Sequence, residues 1–484
     1  MSREGTLLLM KVLDKRNTTE LMKTLSIQEK VESEISILSQ KKRKDMTSQE
    51  RVRLLQLKLY LKAKQESDYK FYILYDKIFQ KHILEEGYKR SKSKNGSPGI
   101  DKQSFADVEK YGRTKFLTEI GEELRKRTYK PQAVKRVWID KENGGQRPLG
   151  IPTIKDRVVQ QACKIVIEPI FEADFDDSSH GFRPKHSAKD AIIEIKNNLK
   201  TGKQVVYDAD LSKYFDTIPH DKLEIVLKER ISDPRVLHLI KLWLKVPIVE
   251  EDGKYTGGKS NTKGTPQGGV ISPLLANIYM NLLDRIVNNP NGYFSKRDIK
   301  MIRYADDFIL MSRHIEQETI IKAHYYLDRM GLVINTDKSR LVNAKEQAFD
   351  FLGFTFRYDQ SRISGWGKFW NVFPKQKSQK KIRQKINTKL KSIGHYPAFA
   401  VVGELNPIIR GWMNYYRIDK VSYTQVAFKD LEDYLRNRLY RYYNRKSQRK
   451  SSMYGTQAFN ILVEEYGLIK PYRTSGLRPV NTLR

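Results

Sequence analysis

The amino-acid sequence predicts a protein of the α+β class, with a sheet domain in the middle of the chain and helices toward both ends. Short runs with β patterning at residues 205–211 and 300–312 lie among helical patterns at residues 188–199 and 316–329. This intermixing favours a sheet covered by helices within one domain. After Ile382 the apolar residues recur almost entirely at helical spacing.

At 484 residues the chain is long enough for two to four domains. Residues 1–90 are expected to form a helical N-terminal extension, because Thr47 and Glu50 fit a capping box in front of a leucine-rich stretch. The polar segment 91–101 contains two glycines and a proline, which indicates a boundary.

Residues 134–151 predict a β-hairpin. Apolar and polar residues alternate on both sides of a tight glycine turn at residues 143–145. Lys141 and Arg147 stand on opposite arms, where they could bind a triphosphate. An ordinary exposed basic hairpin explains the same pattern.

The composition is strongly basic. The 90 Lys and Arg residues against 57 Asp and Glu give a formal net charge of +33, and residues 361–484 hold 25 of the basic and 7 of the acidic residues. An excess of this size is typical of proteins that bind DNA or RNA. The single cysteine, Cys163, excludes an intrachain disulfide and a four-cysteine zinc module.

Two adjacent carboxylates, Asp306 and Asp307, stand at the junction of two apolar β runs. The pattern predicts acid groups on an exposed hairpin turn that a buried sheet supports. A solvated turn is the competing interpretation, since Asp176 and Asp177 form a similar pair in a polar loop.

A second strand-like run, residues 203–211, ends in Asp208 and Asp210. Carboxylate oxygens hold hard cations such as Mg²⁺, and polymerases use two of these ions to activate a 3′-hydroxyl and neutralise the leaving pyrophosphate. Asp210 and Asp306 are 96 positions apart. The site therefore requires a fold that sets both runs side by side in one sheet.

A loop rich in glycine and proline, residues 263–273, surrounds Gln267. Glycines let a backbone approach a ligand closely, and a glutamine amide can bind a sugar or phosphate. By itself such a loop is a weak indication of function.

Taken together, these features resemble the group II intron reverse transcriptase/maturase family, from about Asn95 to about Lys446. The motifs that carry the resemblance are NGSPGID (95–101), QRPLGIPTIKDRVVQQA (146–162), SSHGFRPKHSAKDAI (178–192), DADLSKYFDTIPH (208–220), GTPQGGVISPLLANIYMNLLD (264–284), RYADDFIL (303–310), NTDKSR (335–340) and FDFLGF (349–354). So many motifs in one order make the resemblance very specific.

The resemblance implies a right-hand polymerase. Fingers are expected at residues 91–200 and a palm with an antiparallel sheet and helices at 201–360. An all-helical thumb/maturase domain is expected at 361–446, followed by a short basic segment at 447–484.

By motif matching, Asp210, Asp306 and Asp307 correspond to the catalytic carboxylates. The same three residues, with the backbone carbonyl of Leu211, are the implied ligands of two Mg²⁺ ions, for which Mn²⁺ can substitute.

Four residues match the nucleotide-binding positions of the family: Lys141, Arg147, Phe215 and Gln267. The ring of Phe215 matches the group that blocks a nucleotide 2′-hydroxyl, although a core aromatic is the competing interpretation. Lys338 matches the basic residue near the primer end.

Two amphipathic stripes near the C-terminus resemble the maturase-specific thumb, and their apolar faces are expected to pack in a helical core. The first stripe comprises Leu405, Ile408, Ile409, Trp412 and Tyr416, and the second Phe428, Leu431, Leu435, Leu439 and Tyr442. The densest basic cluster, expected to contact RNA, comprises Arg441, Arg445, Lys446, Arg449 and Lys450.

The implied activity is RNA-directed DNA polymerisation, in which dNTPs extend a DNA or RNA primer on intron RNA or another RNA template, together with help in splicing. Two alternatives stay open: a non-catalytic RNA-binding maturase, and a host-adopted reverse transcriptase in phage defence or repair. A zinc-supported HNH endonuclease is not expected, because no cysteine follows Cys163. The expected location is a bacterial cytoplasm or an organelle matrix, without secretion or a membrane partner.

Overall fold

The computed structural model describes residues 28–140, 144–361, 367–394, 396–445, 453 and 457–472. Helices and β-sheets are intermixed within these ranges, so the predicted mixture of α and β structure is confirmed. In the same ranges no helix is both long and apolar enough to cross a membrane.

The helices are α1 (28–40), α2 (Ser48–Gln65), α3 (Tyr75–Ile78), α4 (Lys81–Lys92), α5 (Phe105–Tyr111), α6 (Arg113–Lys126), α7 (Ile154–Glu172), α8 (Ala188–Lys200), α9 (Tyr214–Thr217), α10 (His220–Arg230), α11 (Pro234–Leu244), α12 (Ser272–Asn288), α13 (Gln317–Met330), α14 (Gln376–Ser392), α15 (Ala398–Tyr416), α16 (Gln425–Arg445) and α17 (Ala458–Glu464). The strands are β1 (Val134–Asp140), β2 (Gln146–Ile151), β3 (Val205–Ala209), β4 (Pro247–Val249), β5 (Tyr255–Gly257), β6 (Lys300–Tyr304), β7 (Asp307–Ser312), β8 (Arg340–Asn343), β9 (Phe349–Phe351), β10 (Phe354–Gln360) and β11 (Lys368–Pro374).

The largest hydrophobic core surrounds α7, which is buried over almost its whole length and on nearly all sides, including polar residues such as Asp156 and Gln160. Helices α2 and α4 pack against it. The predicted capping box begins α2: the Thr47 hydroxyl accepts from the Glu50 backbone N–H, and the Glu50 carboxylate accepts from the Thr47 backbone N–H. Helices α2, α3 and α4 therefore share their core with α7, whereas Leu38 of α1 packs in a small separate cluster with Met46 and Leu57.

The predicted hairpin at residues 134–151 is confirmed, since β1 and β2 pair antiparallel with Asp140 opposite Gln146. Strand β4 pairs in parallel with β1 and antiparallel with β5. The resulting sheet has the order β2-β1-β4-β5.

A central sheet has the order β6-β7-β3-β8, and all its neighbours are antiparallel. Strand β3 lies directly beside β7, so the two acid-bearing runs of the sequence are neighbours in one sheet.

Alternation along β3 divides its side chains between two cores. Tyr207 and Ala209 join the large core with α7, α12 and α13, whereas Val206 joins a second core with α8 and the sheet of β9, β10 and β11. Because alternate residues of a strand point to opposite faces, Asp208 and Asp210 lie on the Val206 face.

The prediction of an all-helical segment from residue 361 is wrong for β11. This strand pairs antiparallel with β10, placing Trp370 opposite Tyr358 and Val372 opposite Phe356. Trp370, Val372 and Pro374 are buried and alternate with more exposed neighbours, which is the period-two pattern of a strand with one covered face.

From Gln376 onward the described residues form helices and their connections, as predicted. Leu405 and Ile409 of α15 and Leu435 and Leu439 of α16 are fully buried in a third core. The apolar faces of both stripes therefore serve packing.

A fully buried arginine connects the central sheet to α12. The Arg303 guanidinium donates from Nε to Asp284 Oδ1 at 2.8 Å, from Nη2 to Asp284 Oδ2 at 2.5 Å and from Nη1 to Asn277 Oδ1 at 2.9 Å. It also donates to the Ser179 hydroxyl at 2.6 Å and the Ala305 carbonyl at 2.8 Å. One side chain thus joins a helix, a loop and the turn after β6.

Replacing Asp284 with Asn is expected to destabilise the protein by about 3–5 kcal/mol, because the buried guanidinium loses its counter-charge while the shape of the partner is kept. Thermal or urea unfolding measures the change. The matched control is Asp252→Asn, which breaks an exposed pair with Lys254 and is expected to leave the stability nearly unchanged, because exposed ion pairs contribute little. Equal shifts in the two variants would show that the Arg303 pair contributes no more than a surface pair.

Candidate active site

The structure brings Asp210, Asp306 and Asp307 together at one end of the central sheet. Asp210 directly follows β3, and Asp306 and Asp307 lie at the turn between β6 and β7. The last residue pair of β3 and β7 is Ala209 with Phe308. One step beyond that pair stand Asp210 and Asp307, on the strand face that also carries Asp208.

The turn between β6 and β7 is held by a close backbone contact. Ala305 has a left-handed conformation with φ +60°, which is uncommon for a residue other than glycine. A Cβ atom at Gly181 would collide with the Ala305 backbone nitrogen, so only glycine fits there. Next to this contact, the His180 N–H donates to the Arg303 carbonyl and the Arg303 N–H donates to the Ser178 carbonyl, each at 2.9 Å.

Burial and neighbouring carboxylates raise the pKa of three acids at this end of the sheet, Asp208, Asp306 and Asp307. Burial, then the carboxylates of Asp306, Asp210 and Asp208, raise the pKa of Asp307 to about 7. Burial is also the main cause that raises the pKa of Asp306 and of Asp208. The Asp307 side chain is exposed to solvent. Solvent screening therefore reduces the loss of stability that the repulsion among these carboxylates causes.

Lys338 lies beside the acids, with its Nζ 3.4 Å from Asp210 Oδ2. The segment that carries Lys338 is bonded to the end of β3. The Asn335 N–H donates to the Asp210 carbonyl at 2.8 Å, and the Asp210 N–H donates to the Ser339 hydroxyl at 3.1 Å. The lysine is therefore positioned by backbone contacts as well as by charge.

The donors of the cluster fit a hard divalent cation in their chemistry, because carboxylate and carbonyl oxygens are the ligands that Mg²⁺ prefers. Leu211, whose carbonyl is the fourth predicted ligand, directly follows Asp210 and forms a β-bridge with Ile334. The carboxylates of the cluster do not converge on a single point. Among the described residues, no group of three or more His, Cys, Asp or Glu side chains is placed so that it could hold an ion.

Arg147 and Gln267 are brought together, and they are joined by a residue that the sequence interpretation missed. Arg147 Nε donates to Gln267 Oε1 at 3.2 Å, and Gln267 Nε2 donates to both carboxylate oxygens of Asp216 at 3.0 Å. Asp216 is adjacent to Phe215 on α9. The only sequence signal for Asp216 was its position next to Phe215, a residue that matches a nucleotide-binding position of the family.

The glycine-rich loop is packed backbone to backbone against the hairpin. The Gly150 N–H of β2 donates to the Gln267 carbonyl at 2.5 Å. Gly268 has φ +106°, and a Cβ there would collide with the Gly150 carbonyl. The backbone at Gln267 is therefore held closely against β2.

Phe215 is half-buried at the edge of the large core. Its carbonyl accepts from the Thr265 N–H at 2.7 Å, which ties α9 to the glycine-rich loop. The ring lies five residues beyond Asp210 and one before Asp216. Lys141, the other predicted triphosphate ligand, lies outside the described residues.

The predicted RNA cluster is described only in part. Arg441 is exposed on α16, and Arg445 is the last residue of that helix. Lys446, Arg449 and Lys450 lie outside the described residues.

Comparison with protein families defines the class as a reverse transcriptase: residues 139–356 match the family described as "Reverse transcriptase (RNA-dependent DNA polymerase)". Residues 379–458 match the "Group II intron, maturase-specific domain". The chain belongs to the group II intron reverse transcriptase/maturase family, as its motifs predicted.

Three relatives illustrate the similarity. "Protein YkfC" of Escherichia coli is 32% identical over 54% of this chain and 76% of its own length. "Group II intron-encoded protein LtrA" of Lactococcus lactis subsp. cremoris is 40% identical over 35% of this chain and 28% of its own length. The "Uncharacterized 91 kDa protein in cob intron" of Schizosaccharomyces pombe is 30% identical over 58% of this chain and 43% of its own length. The match thus spans less than half of the last two proteins.

The raised pKa of Asp307 predicts a stability that falls as pH rises. Between the ordinary aspartate pKa of 3.8 and about 7, the folded protein keeps a proton on Asp307 that the unfolded chain releases. Asn at position 307 has no such proton to lose. The melting temperature of Asp307→Asn should therefore rise relative to wild type between pH 4.5 and 8, measured in EDTA.

Asp252 supplies the control for this pH dependence. It lies in the β4–β5 turn, and hydrogen bonds from Lys254 lower its pKa. Asp252→Asn should follow wild type across the same pH range. A difference between Asp307→Asn and wild type that does not change with pH would contradict the raised pKa.

Proposed function

We propose that the protein is an RNA-directed DNA polymerase that uses two divalent cations. The observation that carries the proposal is the pairing of β3 with β7, which sets Asp210 beside Asp306 and Asp307 although 96 positions separate the first two. Burial and the carboxylates of Asp306 and Asp210 raise the pKa of Asp307, and a bound cation would offset the repulsion among these charges.

In this proposal Asp210 and Asp306 are the principal ligands of two Mg²⁺ ions, or of Mn²⁺ as a substitute, with Asp307 and the Leu211 carbonyl completing the set. Bound metal would stabilise the charge that develops on the reacting phosphate. Lys338, already 3.4 Å from Asp210, is proposed to hold the primer end near the acids.

Arg147 and Gln267 are proposed to bind the incoming deoxynucleotide, together with Lys141. Arg147 donates to Gln267, which in turn donates to Asp216. A triphosphate is a stronger acceptor for a guanidinium than a neutral amide is. Nucleotide binding is therefore expected to draw Arg147 away and to free the amide oxygen of Gln267.

The domain assignment is part of the proposal: fingers at residues 91–200, palm at 201–360, a thumb/maturase domain at 361–446, and flanking segments at 1–90 and 447–484. The maturase-specific match at residues 379–458 supports binding of intron RNA to assist splicing and mobility. The exposed Arg441 and the basic residues that follow it are the proposed RNA contacts.

Replacing both Asp306 and Asp307 with Ala is expected to abolish primer extension on an RNA template, because the metal ligands are lost. Incorporation of labelled dNTP in Mg²⁺ measures the activity, and intron RNA binding measured in parallel should persist. The control is the double variant Glu251→Ala with Asp252→Ala, which removes two exposed acids from the turn between β4 and β5. Extension by the first variant at the wild-type rate would refute the assignment.

Replacing Phe215 with Ala is expected to admit ribonucleotides, because the space beside the 2′-hydroxyl is no longer filled. The measured quantity is the ratio of kcat/KM for a dNTP and for its rNTP on one primer–template. Phe215→Tyr keeps the ring and should keep the wild-type ratio. If Phe215→Ala also keeps it, the ring serves core packing alone.

A further inference from the structure

Three tyrosines and three basic residues form one continuous surface on α13 and on the segment before β6. We call it the tyrosine surface, and it comprises Tyr293, Arg297, Lys322, Tyr325, Tyr326 and Arg329. The Arg297 guanidinium lies 3.8 Å from the centre of the Tyr293 ring. Lys322 Nζ lies 5.1 Å from the Tyr325 ring, 5.7 Å from the Tyr326 ring and 6.0 Å from the Tyr293 ring.

The cations of this surface are not neutralised by ion pairs. Within the part of the chain that the structure describes, Arg297, Lys322 and Arg329 have no carboxylate within 4.0 Å, whereas nearby Lys203 pairs with Asp298. Glu318 of α13 accepts from the Tyr293 hydroxyl at 2.9 Å. The positive charge that remains is therefore available to an outside anion, although the exposed Asp328 of α13 offsets part of it.

A cleft of about 350 Å³ borders the tyrosine surface at Arg297. Arg313, His314, Ser312 and Asp298 complete its lining, and the Asp298 carboxylate lies 3.8 Å from Arg313 Nε. Arg297 is therefore the cation that the cleft shares with the tyrosine surface.

The tyrosine surface and the acidic cluster lie on opposite sides of the central sheet. The Tyr207 hydroxyl and His324 Nε2 of α13 are 2.8 Å apart and hydrogen-bonded. Tyr207 occupies the face of β3 opposite to Asp208 and Asp210. A primer–template held at the acids would therefore leave the tyrosine surface free.

We propose that the tyrosine surface binds an unpaired segment of RNA. Aromatic faces stack unpaired bases, and cations that have no carboxylate partner bind the phosphates between them. Tyr325 is 47% exposed and Ile321 beside it 60% exposed, so a base can reach them. Bases within a duplex are already stacked, which excludes double-stranded RNA from this mode of binding. The inference rests on the proposed function only in taking RNA as the polyanion.

The test uses the full chain, first saturated with a primer–template that ends in a dideoxynucleotide so that the acidic cluster is occupied. Binding of a labelled uridine dodecamer is then measured by fluorescence anisotropy. Tyr325→Ala with Lys322→Gln should weaken this second binding by about five-fold or more. Tyr325→Phe keeps the ring and should bind as wild type does. Crosslinks from 4-thiouridine should map to the peptide that contains Tyr325.

The control removes the same chemistry from another part of the surface. Lys115 Nζ lies 4.5 Å from the exposed Tyr111 ring, and Tyr111→Ala with Lys115→Gln should bind the dodecamer as wild type does. Equal affinities in the two double variants would overturn the proposal. A change in the oligomeric state of the Tyr325→Ala, Lys322→Gln variant, measured by light scattering, would also overturn the proposal. It would assign the tyrosine surface to contact with a second copy of the chain. If primer extension is absent but binding of the dodecamer still depends on Tyr325, the polymerase proposal is refuted and RNA binding by the tyrosine surface is supported.

Discussion

The acidic end of the central sheet depends on the buried ion pair between Arg303 and Asp284. Removing a guanidinium from water costs several kcal/mol, and the cost is offset only where its N–H groups all find acceptors. Arg303 finds them on α12, on Ser179 and on the Ala305 carbonyl. The left-handed turn is thereby tied to a helix through a charged hydrogen bond, and Gly181 supplies the close backbone contact on its other side.

This anchoring matters because the turn holds groups that repel one another. Asp208, Asp306 and Asp307 all have raised pKa values, with burial as the main cause of each. A turn held by local preference alone would relax to separate such charges. Rigid support keeps them close at a cost in stability, which is the usual relation between a preorganised site and the scaffold around it.

Features whose partners lie close in sequence were predictable, among them the Thr47 capping box and the hairpins around residues 143–145 and at Asp306. Motif resemblance predicted the family. The contact of Gln267 with Asp216 was not predictable from pattern, because 51 positions separate them and only the packed loop brings them together. Strand β11 was not predicted because the resemblance implied an all-helical domain from residue 361, and the period-two burial of the strand depends on its pairing with β10.

The alternation of side chains along one short strand decides how the molecule divides its surfaces. One face of β3 carries Val206, Asp208 and Asp210. Helix α8 and the sheet of β10 cover this face at Val206, whereas Asp208 and Asp210 are only half-buried. Tyr207 faces α13 instead and bonds to His324, which sets the tyrosine surface behind the sheet. A shift of one residue in the register of β3 would exchange these two faces. The antiparallel pairing with both β7 and β8 opposes such a shift, and so keeps the acidic cluster and the tyrosine surface on opposite faces of the sheet.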